Sequence, residues 1–223
     1  MPDHAVIIGT GPGLSASLAR ALARRGLGLT LAARSTDDLE DLARETAART
    51  VAMDASDPAA MAALFADLPG PLRVAVYNPS ARSKGPIDAL DPEAVRRALE
   101  VTAFGAFLMG AEATRLMRGN DGRHRGTILF TGASAGVKGF PRSAPFAMGK
   151  FAQRGLAQSM ARELHPEGIH VAWINIDGAI GARDDRPDRL NPDAIATAYM
   201  QLIDQPISTW TNELTLRPMA EPF

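Results

Sequence analysis

Val6-Ile7-Ile8-Gly9-Thr10-Gly11-Pro12-Gly13-Leu14-Ser15 is an apolar run that breaks into a glycine-rich turn and then into a helical pattern. Leu14, Leu18 and Leu22 recur every four residues, with Ala16, Ala19, Ala21 and Ala23 among them. The change of hydrophobic period predicts strand, tight turn, helix. Such a turn aims free backbone N–H groups, and the positive end of a helix dipole, at one point beyond the strand. An anion belongs at that point, and in this setting it is most often the pyrophosphate of a dinucleotide.

The spacing is not G-x-G-x-x-G, because position 14 is Leu; it is G-x-x-x-G through Gly9 and Gly13, with Gly11 between. Ser15 stands where one more glycine would extend the pattern and is small enough to keep helix and strand close. The backbone of Gly9, Gly11, Pro12, Gly13 and Leu14 is the expected phosphate cradle; a turn without a ligand is the alternative. Leu27 to Ala33 is the next apolar run, followed by Arg34 and Ser35. In nucleotide folds the end of this strand reaches the adenosine ribose, where an acid accepts from a 2′-hydroxyl and a cation pairs with a 2′-phosphate. Arg34 therefore predicts NADP(H) in preference to NAD(H), against the alternative of a solvated loop cation.

Bulk composition narrows the function classes. At 223 residues the chain is expected to be one domain, 1–223, with a full core. It is 46% hydrophobic and 22% charged, with a net charge of −1, which argues against a general nucleic-acid surface. There is no cysteine, so disulfide and thiolate chemistry are excluded. No apolar run approaches 18 residues, so no membrane span is expected. The first strand starts almost at once, with no leader, and a cytoplasmic location is the default expectation.

Down the chain, Ser35 with Asp38 resembles a capping box for a helix running to about Ala47. Thr50 to Met53 is a short strand ending at Asp54. Asp57-Pro58, Asp91-Pro92 and Asn191-Pro192 each set a capping oxygen before a first-turn proline and mark three helix starts. Further strands are expected at Leu72–Tyr77, Gly126–Thr131, Ile169–Ile174 and Glu213–Leu216, with long helices at Ala103–Met117 and Ala144–Leu164 and a later one at Pro192–Ile203. Strands alternating with helices imply an α/β fold: a doubly wound, Rossmann-like, seven-stranded parallel sheet with helices on both faces. The polar loop Gly178–Leu190 leaves the C-terminal end of a strand, where ligands bind in this architecture, and reads as a lid.

Over nearly its whole length the chain resembles the short-chain dehydrogenase/reductase family. The resemblance rests on Gly9 and Gly13, Asp54 after the third strand, Asn78 after the fourth, ILFTGAS after the fifth, and Lys150 in FAMGKFAQRGLAQSMAREL. It implies an enzyme that moves hydride between a nicotinamide and an alcohol or carbonyl of a small molecule. Asp54 would hold the adenine amino group and Asn78 would support the adenine side of the pocket, with Ala55, Pro79 and Gly178 in the same cofactor loops. Lys150 would bond the nicotinamide ribose.

The resemblance fails at the chemistry. The family's tyrosine, four residues before the lysine, falls on Phe146; its serine falls on Ala133 and its asparagine on Thr102. A Pro-Gly pair is expected after the sixth strand, and Ile176-Asp177-Gly178 stands there. Losing a positioned proton donor costs about 10²- to 10⁴-fold, and losing a donor to the developing oxyanion about 10²- to 10³-fold. Hydride transfer itself needs only a held cofactor, a fixed face and distance, and exclusion of water.

Three readings follow. Another group supplies the proton, with Ser134 and Lys150 as candidates, and Tyr77 and Tyr199 as residues whose default role is packing. Alternatively the substrate needs little acid help, and Phe146, Ala133 and Phe140 line an apolar pocket for a flat or aliphatic ligand. In the third reading the chain is a catalytically inactive dinucleotide-binding or regulatory protein. The four histidines, His4, His124, His165 and His170, lie at element ends without metal-ligand spacing and are expected on the surface; no metal is expected. The two long helices carry apolar residues beyond one face, and in the family such helices form an interface, so a homodimer or homotetramer is expected.

Overall fold

The computed structural model describes residues 2–181 and 187–221. Its centre is β1 (His4–Ile8), five residues that are all buried. Alternate side chains leave opposite faces of a strand: Ala5 and Ile7 join one apolar cluster, Val6 and Ile8 the other. β1 pairs in parallel with β2 (Gly28–Ala33) on one side and β4 (Leu72–Tyr77) on the other, with Ile7 opposite Leu31 and Val76. β3 (Arg49–Ala52), β5 (Gly126–Thr131), β6 (Ile169–Ile176) and β9 (Glu213–Leu216) complete one parallel sheet in the order β3-β2-β1-β4-β5-β6-β9. This is the doubly wound, Rossmann-like α/β fold. Chain direction across the sheet reverses between β1 and β4, and their C-terminal ends open a crevice for ligands.

Helices α1 (Leu14–Ala23), α2 (Glu40–Thr46) and α7 (Pro192–Ile203) cover one face; α3 (Pro58–Ala66), α5 (Gly105–Met117) and α6 (Ala144–Leu164) cover the other. Asp57 accepts from the N–H groups of Ala59 and Ala60, Asp91 caps α4 (Pro92–Leu99) through Glu93 and Ala94, and Asn191 caps α7 through Asp193. Each is the expected side-chain oxygen before a proline.

Several boundaries and environments differ from expectation. Ser35 accepts from the N–H of Asp37 at 3.3 Å, but the chain opens there as a 3-10 turn (Asp37–Leu39), so no full capping box forms. The helix expected from Ala103 is continuous with α4 through a π-turn at Glu100–Phe104, where Gly105 N–H bonds Glu100 O. Gly105 has to be glycine: a Cβ there would collide with the Tyr77 hydroxyl and the Ala55 carbonyl. β6 runs two residues further than expected, to Ile176.

The histidines are not all on the surface. His4 and His170 are buried; His4 bonds Thr30 Oγ1 at 2.9 Å and His170 bonds Thr211 O at 2.8 Å. His124, His165 and His170 gather round Trp210 with ring centroids 5.0–5.3 Å from the indole. These element ends lie beneath packed side chains, which spacing along the sequence does not reveal. Of the loop Gly178–Leu190, β7 (Ala179–Ile180) and β8 (Arg189–Leu190) pair in parallel, and the lid expectation otherwise falls on residues 182–186, outside those described.

Candidate active site

The glycine turn follows from the meeting of two strand ends. Gly9 N–H and Thr10 N–H both donate to Ala32 O, which folds the chain sharply over β2. Gly9 has φ +81°, and a Cβ there would stand 2.7 Å from the Pro79 ring. Both conditions require glycine. Beyond the turn, Ser15 donates to Gly9 O at 3.1 Å and accepts from Asn78 Nδ2 at 2.7 Å. A buried serine thus bolts the start of α1 to the loop after β4, which is the structural content of Ser15 and Asn78.

The cradle is open where a phosphate would sit. A Cβ added at Gly11 or Gly13 would meet nothing within 4 Å, and α1 has no side-chain cap on its first N–H groups. Gly11, Pro12 and Gly13 form the rim, while the Leu14 side chain is buried in the core. The uncapped helix end, the close-packed Gly9 and the empty space before Gly13 fit the pyrophosphate of a nicotinamide dinucleotide.

A cavity of about 930 Å³ runs from Gly9 along the ends of β1, β2 and β4. Arg34, Ser35, Asp54, Ala55, Asn78 and Pro79 all line it. Arg34 is exposed at its edge and makes no ion pair among the described residues. Asp54 is held at a pKa of about 2, first by the Ser56 backbone N–H, then by the Ser56 hydroxyl, with Arg97 adding to both effects. Ser56 N and Oγ lie 2.9 and 2.7 Å from Asp54 Oδ1, and Arg97 pairs with Oδ2. The carboxylate is therefore fixed in place as a charged wall.

A second cavity, about 530 Å³, lies beyond the ends of β5 and β6. It brings together Ala133, Ser134, Phe140, Phe146 and Gly178, and Arg82 borders both cavities. The Arg82 guanidinium sits 4.1 Å from the centroid of the Phe146 ring. The Ser134 hydroxyl, which lines this cavity, helps hold the buried Asp177 carboxylate in its charged form. Burial pushes the Asp177 pKa up, but Ser134 and the Arg217 guanidinium outweigh it and keep the group charged below its ordinary value. Asp177 also donates its N–H to Leu216 O at 2.8 Å and so joins the ends of β6 and β9.

Lys150, expected to bond the nicotinamide ribose, lines neither cavity and is only 2% exposed. Its Nζ donates to Thr131 O at 2.6 Å and Gln153 Oε1 at 3.3 Å; Gln153 in turn donates to Thr102 O at 3.3 Å. Burial, followed by the positive charge of Arg82, pulls the Lys150 pKa down to about 7. Thr102 is in the π-turn and accepts from Ala81 N–H at 3.1 Å through its hydroxyl. Tyr77 donates to Val101 O, and Tyr199 shares a 2.9 Å hydrogen bond with Thr131 Oγ1. Both tyrosines are fully buried, and burial raises both phenol pKa values.

Sequence reasoning missed Arg82, Lys84, Arg142 and Arg97. Loop cations carry no periodic signal, and only the folding of two separate loops against each other brings the first three to one cavity. The Arg97–Asp54 pair joins residues 43 apart in the chain, and the sequence held no cue for it.

Comparison with known proteins gives the same fold. The short chain dehydrogenase family profile matches residues 3–180. A 3-dehydrosphinganine reductase of Arabidopsis thaliana is 28% identical over 177 residues, which is 77% of this chain and 53% of the relative, so the chain spans about half of that protein's length. The inactive 2-(S)-hydroxypropyl-CoM dehydrogenase 2 of Xanthobacter autotrophicus is 32% identical over 182 residues, covering 79% of this chain and 77% of that one. A metagenomic short-chain oxidoreductase solved in complex with NADP superposes with a TM-score of 0.86 at 25% identity, covering 97% of each chain. Among the described residues, no helix is long and apolar enough to cross a membrane. With its family profile spanning residues 3–180 and the glycine turn, the parallel sheet and the strand-end cavities all in place, the chain belongs to the short-chain dehydrogenase family.

Proposed function

We propose that the protein is an NADP(H)-dependent oxidoreductase with an atypical active site, a single cytoplasmic domain acting on a small molecule. One observation carries the reading. The larger cavity begins at the glycine turn and the smaller one holds Ala133, Ser134 and Phe146, with Arg82 bordering both. A dinucleotide laid along the strand ends spans the two. Gly9, Gly11, Pro12, Gly13 and Leu14 hold its phosphates through backbone N–H groups, Arg34 and Ser35 the 2′-phosphate, and Asp54, Ala55, Asn78 and Pro79 the adenosine side. Gly178 backs the nicotinamide side. When bound, the cofactor supplies or takes up hydride.

Proton handling falls to the chain's own groups. Phe146 has no proton to give, and Ala133 has no hydroxyl. Ser134 reaches the cavity, and Lys150, with a pKa near 7, gives up or takes a proton at neutral pH. The second reading, an inactive dinucleotide binder, is favoured by the fixed placement of the Phe146 ring and by a relative whose name carries the word inactive.

A panel of carbonyl and unsaturated compounds with NADPH, run on the natural protein and on the Phe146→Tyr/Ala133→Ser double variant, decides between them. Turnover by the natural protein above its cofactor-only background supports the enzyme. Turnover confined to the double variant supports the binder. The same reading includes a homodimer or homotetramer built on the exposed Phe104 and Phe107 of the π-turn and α5, and Met148 and Phe151 of α6. Light scattering that returned a monomeric mass would remove that part.

A further inference from the structure

The smaller cavity carries a charge that hydride transfer alone does not require. Arg82, Lys84 and Arg142 line it, and among the described residues no carboxylate does. None of the three makes an ion pair among the described residues. Solvated surface cations are common, but two of these are positioned. Arg82 Cζ stands over the Phe146 ring, 4.1 Å from its centroid. Arg142 has φ +60°, a left-handed conformation that costs a non-glycine residue energy, and its carbonyl accepts from Gly85 N–H at 3.1 Å. That bond clasps the loop carrying Arg82 and Lys84 to the loop carrying Phe140 and Arg142. The clasp holds three cations around a mouth whose wall is Phe140 and Phe146.

We propose that this cavity takes a substrate with an oxyanion, a carboxylate or a phosphate, at one end and a flat or aliphatic apolar body between Phe140 and Phe146. Two guanidinium forks offer paired N–H donors to such a group, and Lys84 adds a point charge. The aromatic walls give the apolar body its contact surface. The proposal rests on the oxidoreductase reading of the same site, whose substrate it specifies.

The test uses the natural protein saturated with NADP⁺, so that the phosphate cradle is filled. Phenylacetate, phenyl phosphate and neutral phenylacetamide are titrated by calorimetry. The titrations are repeated on Lys84→Gln/Arg142→Gln, two exposed residues outside the larger cavity. NADPH affinity is read in parallel from cofactor fluorescence, and the melting temperature shows that the variant is folded. At least one anion should bind about tenfold or more tighter than the amide and lose about tenfold or more in the variant, while NADPH affinity stays within about twofold. Tighter phenylacetate identifies a carboxylic acid, and tighter phenyl phosphate a phosphate ester. An amide that binds as well as both anions, an anion whose affinity the variant leaves unchanged, or no binding by either anion overturns the proposal. Failure of the dinucleotide reading shows separately, as absence of NADPH binding to the natural protein, and anion binding without it overturns the assignment of the cavity to a substrate.

Discussion

The guanidinium of Arg82 lies 4.1 Å from the centroid of Phe146, four residues before Lys150 on α6. A cation over a ring face is attracted by the ring quadrupole, an interaction worth about 0.5–1 kcal/mol at an exposed site. Here the pairing also sets a positive charge beside an aromatic residue that lines the smaller cavity. A phenol placed at that position would titrate in the presence of that charge.

Phe146→Tyr is therefore expected to create a phenol that ionises below the ordinary tyrosine value of about 10. Ultraviolet absorbance of tyrosinate measures it cleanly, because the chain has only two tyrosines, Tyr77 and Tyr199, and burial raises both. The parent should show no phenol titrating up to pH 10, and adding Arg82→Ala to the variant should move the new titration upward. A new phenol at or above 10 with Arg82 present would show that the cation does not act on this position.

In the proposed reading Arg34, an exposed cation lining the larger cavity, pairs with a 2′-phosphate. Removing a charge-assisted contact to phosphate costs about 1.5–3 kcal/mol. Arg34→Ala should weaken NADPH by about tenfold to a hundredfold and leave NADH nearly unchanged in fluorescence titrations. Equal loss for both cofactors would sink the assignment of Arg34.

Gly9→Ala tests the turn itself. Alanine at φ +81° costs about 1–2 kcal/mol, and its Cβ at 2.7 Å from the Pro79 ring adds overpacking. Chemical denaturation should show a loss of at least about 2 kcal/mol, together with loss of NADPH binding. The equivalent change at Gly13, where a Cβ meets nothing within 4 Å, should cost far less stability. A stable, cofactor-binding Gly9→Ala protein would refute the account of the cradle.

What was legible in the sequence was what local chemistry dictates. Asp57, Asp91 and Asn191 announce their helices because a capping oxygen before proline satisfies orphan N–H groups whatever the rest of the fold does. The apolar runs of β1, β4 and β5 read as strands because both of their faces are covered. The glycine turn and Arg34 are legible because they follow strand ends directly, whereas Asp54 and Asn78 enter through the family resemblance. The π-turn at Glu100–Phe104 is not legible, since its cause is the packing of Gly105 against Tyr77 and Ala55 from other elements. Burial of His4 and His170 was hidden for the same reason, as was the clasp between Gly85 N–H and Arg142 O across two loops.

Lys150 gives the last test, through pH. Its pKa falls from 10.5 in the unfolded chain to about 7 in the folded one, first because burial disfavours the ammonium and second because Arg82 repels it. Between these values the unfolded state binds more protons than the folded state, so stability must rise with pH across that window. Below about 7 the lysine is protonated in both states and its penalty is full; above about 10.5 it is neutral in both and the penalty is gone. The slope for one proton is at most about 1.4 kcal/mol per pH unit. Near pH 10 the two tyrosines, whose phenols ionise at about 10 in the unfolded chain and higher in the folded one, oppose the rise; both are present in the natural protein and in Lys150→Met, so the difference between the two slopes isolates the lysine. Urea unfolding from pH 7 to 10 should show this rise in the natural protein and lose most of it in Lys150→Met. That variant also leaves Thr131 O and Gln153 Oε1 without their donor, so its absolute stability should fall even as its pH dependence flattens. Identical slopes in the two proteins would mean that the buried ammonium keeps its ordinary pKa, and Lys150 would then lose its part in moving protons at neutral pH.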